Sequence, residues 1–517
     1  MEGTGHDMKP NILLIQTDQL APQVLPIYGH NVVKAPNLQE IANNGVIFDN
    51  AYCNFPLCAP SRMSMLTGRY AHSIGSWDNA AEQPASNPTI AHYLRNMGYE
   101  TILCGKMHFI GPDQMHGFNK RLMTDIYPSN YAWTPDWSKS GRDSPSGISM
   151  RPVVEAGKCV RSMQLDYDDE VIFNGRQQIY DLVRYGENKP FFLTVSFTQP
   201  HSPFVISEKY WDLYDPDDID MPEVGKMDTE QMDILSRWLH TQRSADRHSI
   251  TDEHVRNARH AYYGMISYID EKVGELLSTL KETGLESNTV VIFTSDHGEM
   301  LGERGMWYKQ HFFERSARVP LIVSYPHEYA PKRISNVVSL VDLLPTIVDI
   351  AQERETESLI DPIHGNSLVD LLTRGEDPHW SDIAISEYSG VGTYTPCRMV
   401  RRGSFKYIYT HGYPGLLYNL EDDPLELNNL AGQREYAEVE DELLEIILSD
   451  WNPEEIKQKV LASQKERLFL KKATAGDPQW AYAVKAEDEN RFVRNDGAAP
   501  TKARARFPYV EPVPFDN

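Results

Sequence analysis

No stretch of this chain approaches the roughly 20 consecutive apolar residues that a membrane span requires. The leading residues, MEGTGHDMKPNILLIQTD, carry no basic segment, and the apolar run Ile12–Ile15 is too short for a signal core. Cysteine is scarce: Cys53, Cys58, Cys104, Cys159 and Cys397 are odd in number and form no CxxC pair, so neither a disulfide framework nor a zinc ribbon is implied. A reduced, cytoplasmic compartment is the expectation. Positive charge is also short, with 50 Lys and Arg against 74 Asp and Glu and a net charge of −24. No basic patch stands out against that background, which argues against a nucleic-acid partner. Internal repeats and low-complexity tracts are missing. What remains is ordinary for a globular protein, 41% hydrophobic and 24% charged, and 517 residues suffice for one large α/β domain and a smaller one.

Asn11–Thr17 (NILLIQT) is a continuous apolar run, as expected of a buried parallel strand, and Asp18-Gln19 stand at its carboxyl tip. Pro190–Thr198 (PFFLTVSFT) and Thr289–Ser295 (TVVIFTS) read the same way. Val46–Phe48, Glu100–Cys104 and Pro320–Ser324 are shorter strands. Helices are expected over Asn37–Asn44, Thr89–Met97, Asp166–Tyr185, Arg256–Thr283 and Val341–Ala351, the fourth being the clearest from its apolar spacing and its closing Gly284. The alternation predicts an α/β fold with a large, mostly parallel sheet sandwiched by helices. From about Gly111 to Cys159 the chain is rich in Pro, Gly, Trp and Tyr with little periodicity, which suits a pocket wall. After Pro378 short alternating runs (Ala384–Glu387, Arg398–Arg402, Phe405–Thr410, Leu416–Asn419) predict a smaller C-terminal α+β subdomain with an antiparallel sheet. The amphipathic helices Glu435–Leu448 and Pro453–Leu470 complete it. The expected division is a catalytic domain over 1–377, the subdomain over 378–472 and an extended tail over 473–517.

The stretch Tyr52–Tyr70, YCNFPLCAPSRMSMLTGRY, concentrates the chemistry. Cys58-Ala59-Pro60-Ser61-Arg62 opens a run that can begin a helix, because Pro is tolerated in a first turn. A thiol at a helix mouth meets the positive end of the macrodipole, and an anionic substrate is favoured at the same place. Arg62, one turn on, adds a fixed positive fork. A free cysteine is more often a small buried hydrophobe, so the motif needs partners. In open α/β sheets ligands bind beyond the carboxyl ends of the strands. Four such tips end in reactive groups: Asp18-Gln19, Lys106 with His108, His201, and Asp296-His297. Asp18, Asp296 and an amide or imidazole neighbour offer hard ligands for Ca²⁺, Mg²⁺ or Mn²⁺. Lys106, Lys309 and Arg62 suit the oxygens of an anionic ester, and His108 and His201 suit proton transfer. His72, His92 and His116 lack such placement and read as structural.

The pentapeptide Cys58–Arg62 with Leu66-Thr67-Gly68-Arg69 resembles the signature of the type I, formylglycine-dependent sulfatases of the alkaline-phosphatase superfamily. Asp18-Gln19, GKMHFIGPDQMHGF (Gly105–Phe118), TDIYP (Thr124–Pro128), WTPDW (Trp133–Trp137), SDHGEMLGERGMWYK (Ser295–Lys309) and SARVPLIV (Ser316–Val323) are similar to the choline-sulfatase branch. The resemblance implies that Cys58 is oxidised to formylglycine by a formylglycine-generating or sulfatase-maturing enzyme. Its hydrate has one oxygen to attack sulfur and a second to expel sulfate. It further implies that Asp18, Gln19, Asp296, His297 and residue 58 hold one divalent cation, Ca²⁺ first and Mn²⁺ or Mg²⁺ next. Arg62 and Lys106 then stabilise the diol and the sulfate, His108 is the base that breaks down the sulfated enzyme, and His201 and Lys309 bind sulfate and assist the leaving oxygen. A homo-oligomer, dimer or tetramer, is implied as well.

The expected reaction is hydrolysis of a small organic sulfate monoester, choline sulfate leading. A quaternary ammonium needs an aromatic wall, and Tyr127, Tyr131, Trp133 and Trp137 lie in the irregular segment. Trp133, Tyr127 and Asn79 are the candidate substrate contacts. Two stretches depart from the choline-sulfatase pattern: Gly147-Ile148-Ser149-Met150 replaces an aromatic-His-Asn-Met run, and Val493–Gly497 replaces an Asn-His-Met-Asp-Leu run. The alternatives are a phosphonate or phosphate monoester hydrolase, an aryl or carbohydrate sulfatase, and a sulfatase-like binding protein with a dead site.

Overall fold

The computed structural model describes residues 9–139, 148–186, 189–352, 359–360, 362–474, 506–508, 510, 511 and 513. Among the described residues fourteen strands follow the chain. β1 is Asn11–Thr17, β2 Val46–Tyr52, β3 Glu100–Gly105, β4 Lys120–Arg121, β5 Gly157–Cys159, β6 Phe191–Ser196 and β7 Val205–Ser207. β8 is Thr289–Ser295, β9 Leu321–Ser324, β10 Lys332–Ser339, β11 Ile383–Tyr388, β12 Cys397–Arg402, β13 Phe405–Thr410 and β14 Leu416–Asn419. The large sheet has eight strands in the order β10-β2-β9-β8-β1-β6-β3-β4. All neighbours are parallel except at β9, which runs antiparallel to both β2 and β8.

The three continuous apolar runs occupy the centre of this sheet, where both faces of a strand are covered. In β1, Leu13 and Ile15 join one core, shared with Ile266, Ile269, Val273 and Leu276 of the helix Asp252–Glu282. Ile12 and Leu14 face the opposite core, with Met63 and Leu66 of the helix Cys58–Thr67 and Leu343, Leu344 and Ile347 of the helix Leu343–Ala351. That alternation is the period-2 geometry of a strand sandwiched by helices.

β11 to β14 form a separate four-stranded antiparallel sheet, ordered as in the chain. It docks beside the cysteine loop: the Asn54 amide nitrogen donates to the Ile385 carbonyl at 2.8 Å, and the Glu387 N–H donates to the Asn54 carbonyl at 2.9 Å. The helices Ala437–Leu448 and Pro453–Ala473 follow it. Sequence reasoning missed the edge strand β10, whose polar residues (KRISNVVS) fit an edge that is partly exposed. It also missed the helix Ile234–Gln242. Between Gly111 and Cys159 the described residues hold only short elements, as the composition implied. Gly147, the altered stretch Val493–Gly497 and most of the expected tail lie outside the described residues. Among the described residues no helix is long and apolar enough to cross a membrane.

Candidate active site

Strand tips and one helix mouth build the site. β1 delivers Asp18-Gln19, β3 delivers Lys106 and His108, β6 leads to His201, and β8 delivers Asp296-His297. Cys58 is the first residue of the helix Cys58–Thr67, so it meets the end where backbone N–H groups are unpaired. One of those groups, the Ala59 N–H, donates to the Asn79 side-chain oxygen at 3.0 Å, which caps the helix from a distant loop. Two glycines are sterically required. A Cβ on Gly105 would stand 2.0 Å from the Ser196 carbonyl oxygen, and one on Gly298 equally close to that of Arg315. Gln19 and His108 adopt left-handed backbone, with φ of 68° and 60°. Such strain in non-glycine residues persists only where the surroundings over-determine it.

The Cys58 Sγ, one carboxylate oxygen each of Asp18 and Asp296, and a ring nitrogen of His297 lie within 4.8 Å of one another, all buried. Cys58 Sγ is 3.4 Å from His297 Nε2 and 3.8 Å from Asp18 Oδ1. Beneath them Arg62 is wholly buried: Nε donates to Asp296 Oδ2 at 2.8 Å, and Nη1 donates to the Lys106 carbonyl at 2.7 Å and Ser196 Oγ at 2.8 Å. Its Nη2 is 3.6 Å from Asp18 Oδ2. Arg62 thereby stands between the two carboxylates, bonded to Asp296 and within ion-pair reach of Asp18. The Lys106 ammonium pairs with Asp18. Gln19 turns its side chain away from the cluster, its oxygen accepting from Lys309 and its nitrogen donating to Glu299. Lys309 Nζ also reaches His201 Nε2 at 2.6 Å.

Charge compensation sets the protonation states. Burial pushes the Cys58 thiol up, but Lys106, Lys309 and His297 outweigh it and hold the group well below the usual thiol range. Burial and Cys58 push Asp18 up, while Lys106, His201 and Arg62 keep it low. Burial, reinforced by Lys309, takes His201 down to about 4. Burial also lowers His108, and contact with Cys58 opposes that shift. A cleft of about 540 Å³ opens over these groups, lined by Cys58, Asn79, His108, Tyr127, Trp133 and His201 among others. Tyr127 and Trp133 stand 5.6 Å apart between ring centroids, and the Lys106 ammonium lies 4.3 Å from the Tyr127 ring centre.

The structure therefore gathers Asp18, Cys58, Arg62, Lys106, His108, His201, Asp296, His297 and Lys309 at one edge of the sheet, with Asn79, Tyr127 and Trp133 lining the cleft above. Tyr131 and Trp137 point elsewhere, the first bonding Glu82 and the second the Gly390 carbonyl. Sequence reasoning missed the residues that hold the site in shape. Asp125 accepts the N–H groups of Met107 and His108 at 3.0 and 2.7 Å and Arg121 Nη2 at 3.0 Å. Asp168 accepts from Thr198 and Gln199, which lead to His201. Glu299 accepts the Leu301 N–H and the Gln19 amide. Asp125 and Glu299 sit inside stretches that already stood out, TDIYP and SDHGE, but their spacing assigned them no role. A second group, His72, His364 and Asp450, also comes within 4.8 Å. There His72 is bonded to Glu387 and Asp450 to Arg398, both at 2.6 Å, so the charges compensate one another.

The sulfatase family profile matches residues 10–353, and the N-sulphoglucosamine sulphohydrolase C-terminal profile matches residues 302–451. The chain is 39% identical to a choline-sulfatase of Rhizobium meliloti (strain 1021), over 94% of this chain and 96% of that one. It is 30% identical to an arylsulfatase of Clostridium perfringens, covering 86% and 94%. Among solved structures it resembles the phosphonate monoester hydrolase of Agrobacterium radiobacter, with a TM-score of 0.68, 28% identity, and coverage of 85% of this chain and 95% of that one.

Proposed function

The chain belongs to the sulfatase family and is a sulfuric ester hydrolase, and from that premise we propose that its substrate is a small organic sulfate monoester, choline sulfate first, cleaved to the alcohol and inorganic sulfate. One observation carries the reading: a cysteine at a helix mouth, three further metal-type donors, two lysines and two histidines gather at one buried place.

Two carboxylates, an imidazole and the residue-58 side chain fit a divalent cation, with Ca²⁺ ahead of Mn²⁺ and Mg²⁺ for the carboxylate oxygens. Bound there, the ion supplies positive charge that lowers the pKa of an oxygen nucleophile. Oxidation of Cys58 to formylglycine by a maturing enzyme supplies, as the hydrate, two geminal hydroxyls, one to attack sulfur and one to expel sulfate. The chain's own residues do the rest. Arg62 fixes Asp18 and Asp296 in place. Lys106 and Lys309 hold the oxygens of the ester. His201 and Lys309, in contact at 2.6 Å, bind the sulfate and assist the leaving oxygen, and His108 takes a proton from residue 58. The Tyr127–Trp133 pair offers an apolar wall to a trimethylammonium group. The proposal includes a cytoplasmic location and a dimer or tetramer, and the exposed Phe173, Tyr185 and Phe469 support the oligomer.

The test is a kinetic panel of choline, aryl and sugar sulfates on protein whose residue 58 has been characterised by mass spectrometry. Choline sulfate should give the highest kcat/KM, and Cys58→Ala should abolish turnover without loss of fold. The likeness to a phosphonate monoester hydrolase supports a second reading. A strong preference for phosphonate over sulfate esters would select it and reject the first.

A further inference from the structure

The helix Pro453–Ala473 begins after both matching profiles have ended, at residues 353 and 451, yet one of its faces braces the wall of the active-site cleft from behind. Gln464, Arg467 and Lys471 recur at intervals of three and four, which places them on a single stripe. Each is committed to the cleft wall. Arg467 Nη1 and Nη2 grip Asp78 Oδ1 and Oδ2 at 2.7 and 2.8 Å, with side chains only 5% and 1% exposed. The guanidinium is braced from its own helix, Nε donating to the Ser463 carbonyl and hydroxyl at 3.2 and 3.1 Å. Asp78 precedes Asn79, the residue that caps the Cys58 helix, and both line the cleft. Gln464 Oε1 accepts the Trp137 N–H at 3.0 Å, and Lys471 Nζ donates to the Ala132 carbonyl at 2.6 Å. Those two bonds bracket Trp133, in the short turn Tyr131–Trp133.

A surface helix that only covered a core would present an apolar stripe. This one begins so, with Ile456 and Val460 in the core, but its stripe then turns polar at Gln464, Arg467 and Lys471, and a buried bidentate ion pair fixes geometry more than it adds stability. We infer that the helix Pro453–Ala473 is a specificity element: Arg467, through Asp78, and Lys471, through Ala132, are positioning residues that set the distance between Asn79 and Trp133, and with it the leaving groups the cleft accepts. The inference rests on the sulfatase reading for its choice of substrates. Neither residue touches the sulfate end, where Lys106, Lys309 and His201 act, so a displaced wall penalises a leaving group that reaches it and spares one that does not.

The experiment compares kcat/KM for choline sulfate with kcat/KM for methyl sulfate, whose leaving group is too short to reach Trp133, in wild type, Arg467→Met, Arg467→Lys and Lys471→Met. The ratio should fall about tenfold in Arg467→Met and by a smaller factor in Lys471→Met, since sub-ångström misplacement is felt in binding. Arg467→Lys should recover part of it, because an ammonium keeps the charge but not the fork. A purely structural role lowers the active fraction and both substrates together, so an unchanged ratio in all three variants overturns the inference. Should Arg467→Met fail to fold, Lys471→Met, at the half-exposed end of the helix, decides by the same ratio. Wild-type preference for phosphonate esters would reject the sulfatase reading, and the ratio is then taken on methyl and choline methylphosphonates, where the same outcomes decide.

Discussion

Asp125 offers a sharp test of how the site holds its base. Its carboxylate is buried and accepts five bonds: Oδ2 from the Met107 and His108 N–H groups and Arg121, and Oδ1 from the Ile126 N–H at 2.8 Å and the Tyr127 N–H at 3.4 Å. Burial pushes this acid up, but Arg121, His108 and the backbone donors hold it below the usual range. Asp125→Asn keeps one oxygen, which satisfies the three donors on the Oδ2 side. The new NH₂ then faces the two N–H groups on the other side. Orphaning one good buried donor costs about 1–3 kcal/mol, and weakening the Arg121 bond from charged to neutral adds roughly 1 kcal/mol. About 2–4 kcal/mol of local strain therefore falls on a segment whose His108 already holds φ of 60°. A positioned base contributes about 10²–10⁴-fold, so a partial displacement should lower kcat by roughly 10–10²-fold. The assay is rapid-quench kinetics on choline sulfate. If His108 acts after the ester is cleaved, Asp125→Asn should release a stoichiometric burst of alcohol and then turn over slowly. A raised KM with unchanged kcat, or a slowed first turnover without a burst, refutes this assignment.

Chelation should abolish activity, and re-addition of Ca²⁺, Mn²⁺ or Mg²⁺ singly should restore it in that order; full activity of metal-free protein would remove the cation from the proposal. Trp133→Ala should raise KM for choline sulfate about tenfold, from a desolvated cation–π contact of about 1–2 kcal/mol, with a smaller effect on methyl sulfate; equal effects would place the ammonium elsewhere. Glu314 provides a pH test away from the chemistry. Burial pushes its carboxyl up, but Lys406, Arg318 and Arg401 bring it down to about 2. Because the folded value lies below the unfolded one, its contribution is present above about pH 4.5 and is lost as pH falls towards 2. The Tm deficit of Glu314→Gln should accordingly be larger at pH 7 than at pH 3, and a deficit independent of pH would deny that role.

Much of the fold could be read from the chain because its central strands are self-declaring. NILLIQT, PFFLTVSFT and TVVIFTS are apolar without interruption, which only a strand covered on both faces tolerates, and each ends where a polar residue reaches the sheet edge. The helix over Asp252–Glu282 was legible for the matching reason, its 3.6-residue spacing. The edge strand β10 was not, since an edge needs no apolar continuity. The reversed direction of β9 was not either, because LIVS reads alike in both directions.

The sequence by itself determined the reactive inventory. Cys58 at the start of a helix, carboxylates and histidines at strand tips, and lysines nearby follow from local patterns and from likeness to a family, and local patterns travel with the chain. Only the tertiary structure decided how those groups are spent. Gln19 stands beside Asp18, and only folding gives it a left-handed backbone and bonds its amide to Lys309 and Glu299. Arg62 lies buried between Asp18 and Asp296, and folding gives its Nε to Asp296 and its Nη1 to the Lys106 carbonyl and Ser196. Of four aromatic residues in the irregular segment, packing lines the cleft with Tyr127 and Trp133 and bonds Tyr131 to Glu82 and Trp137 to Gly390. Arg467, 389 residues from Asp78 along the chain, carried no local sign at all. A residue type fixes which bonds are possible; which of them form depends on partners that are distant in sequence, and only folding brings those together.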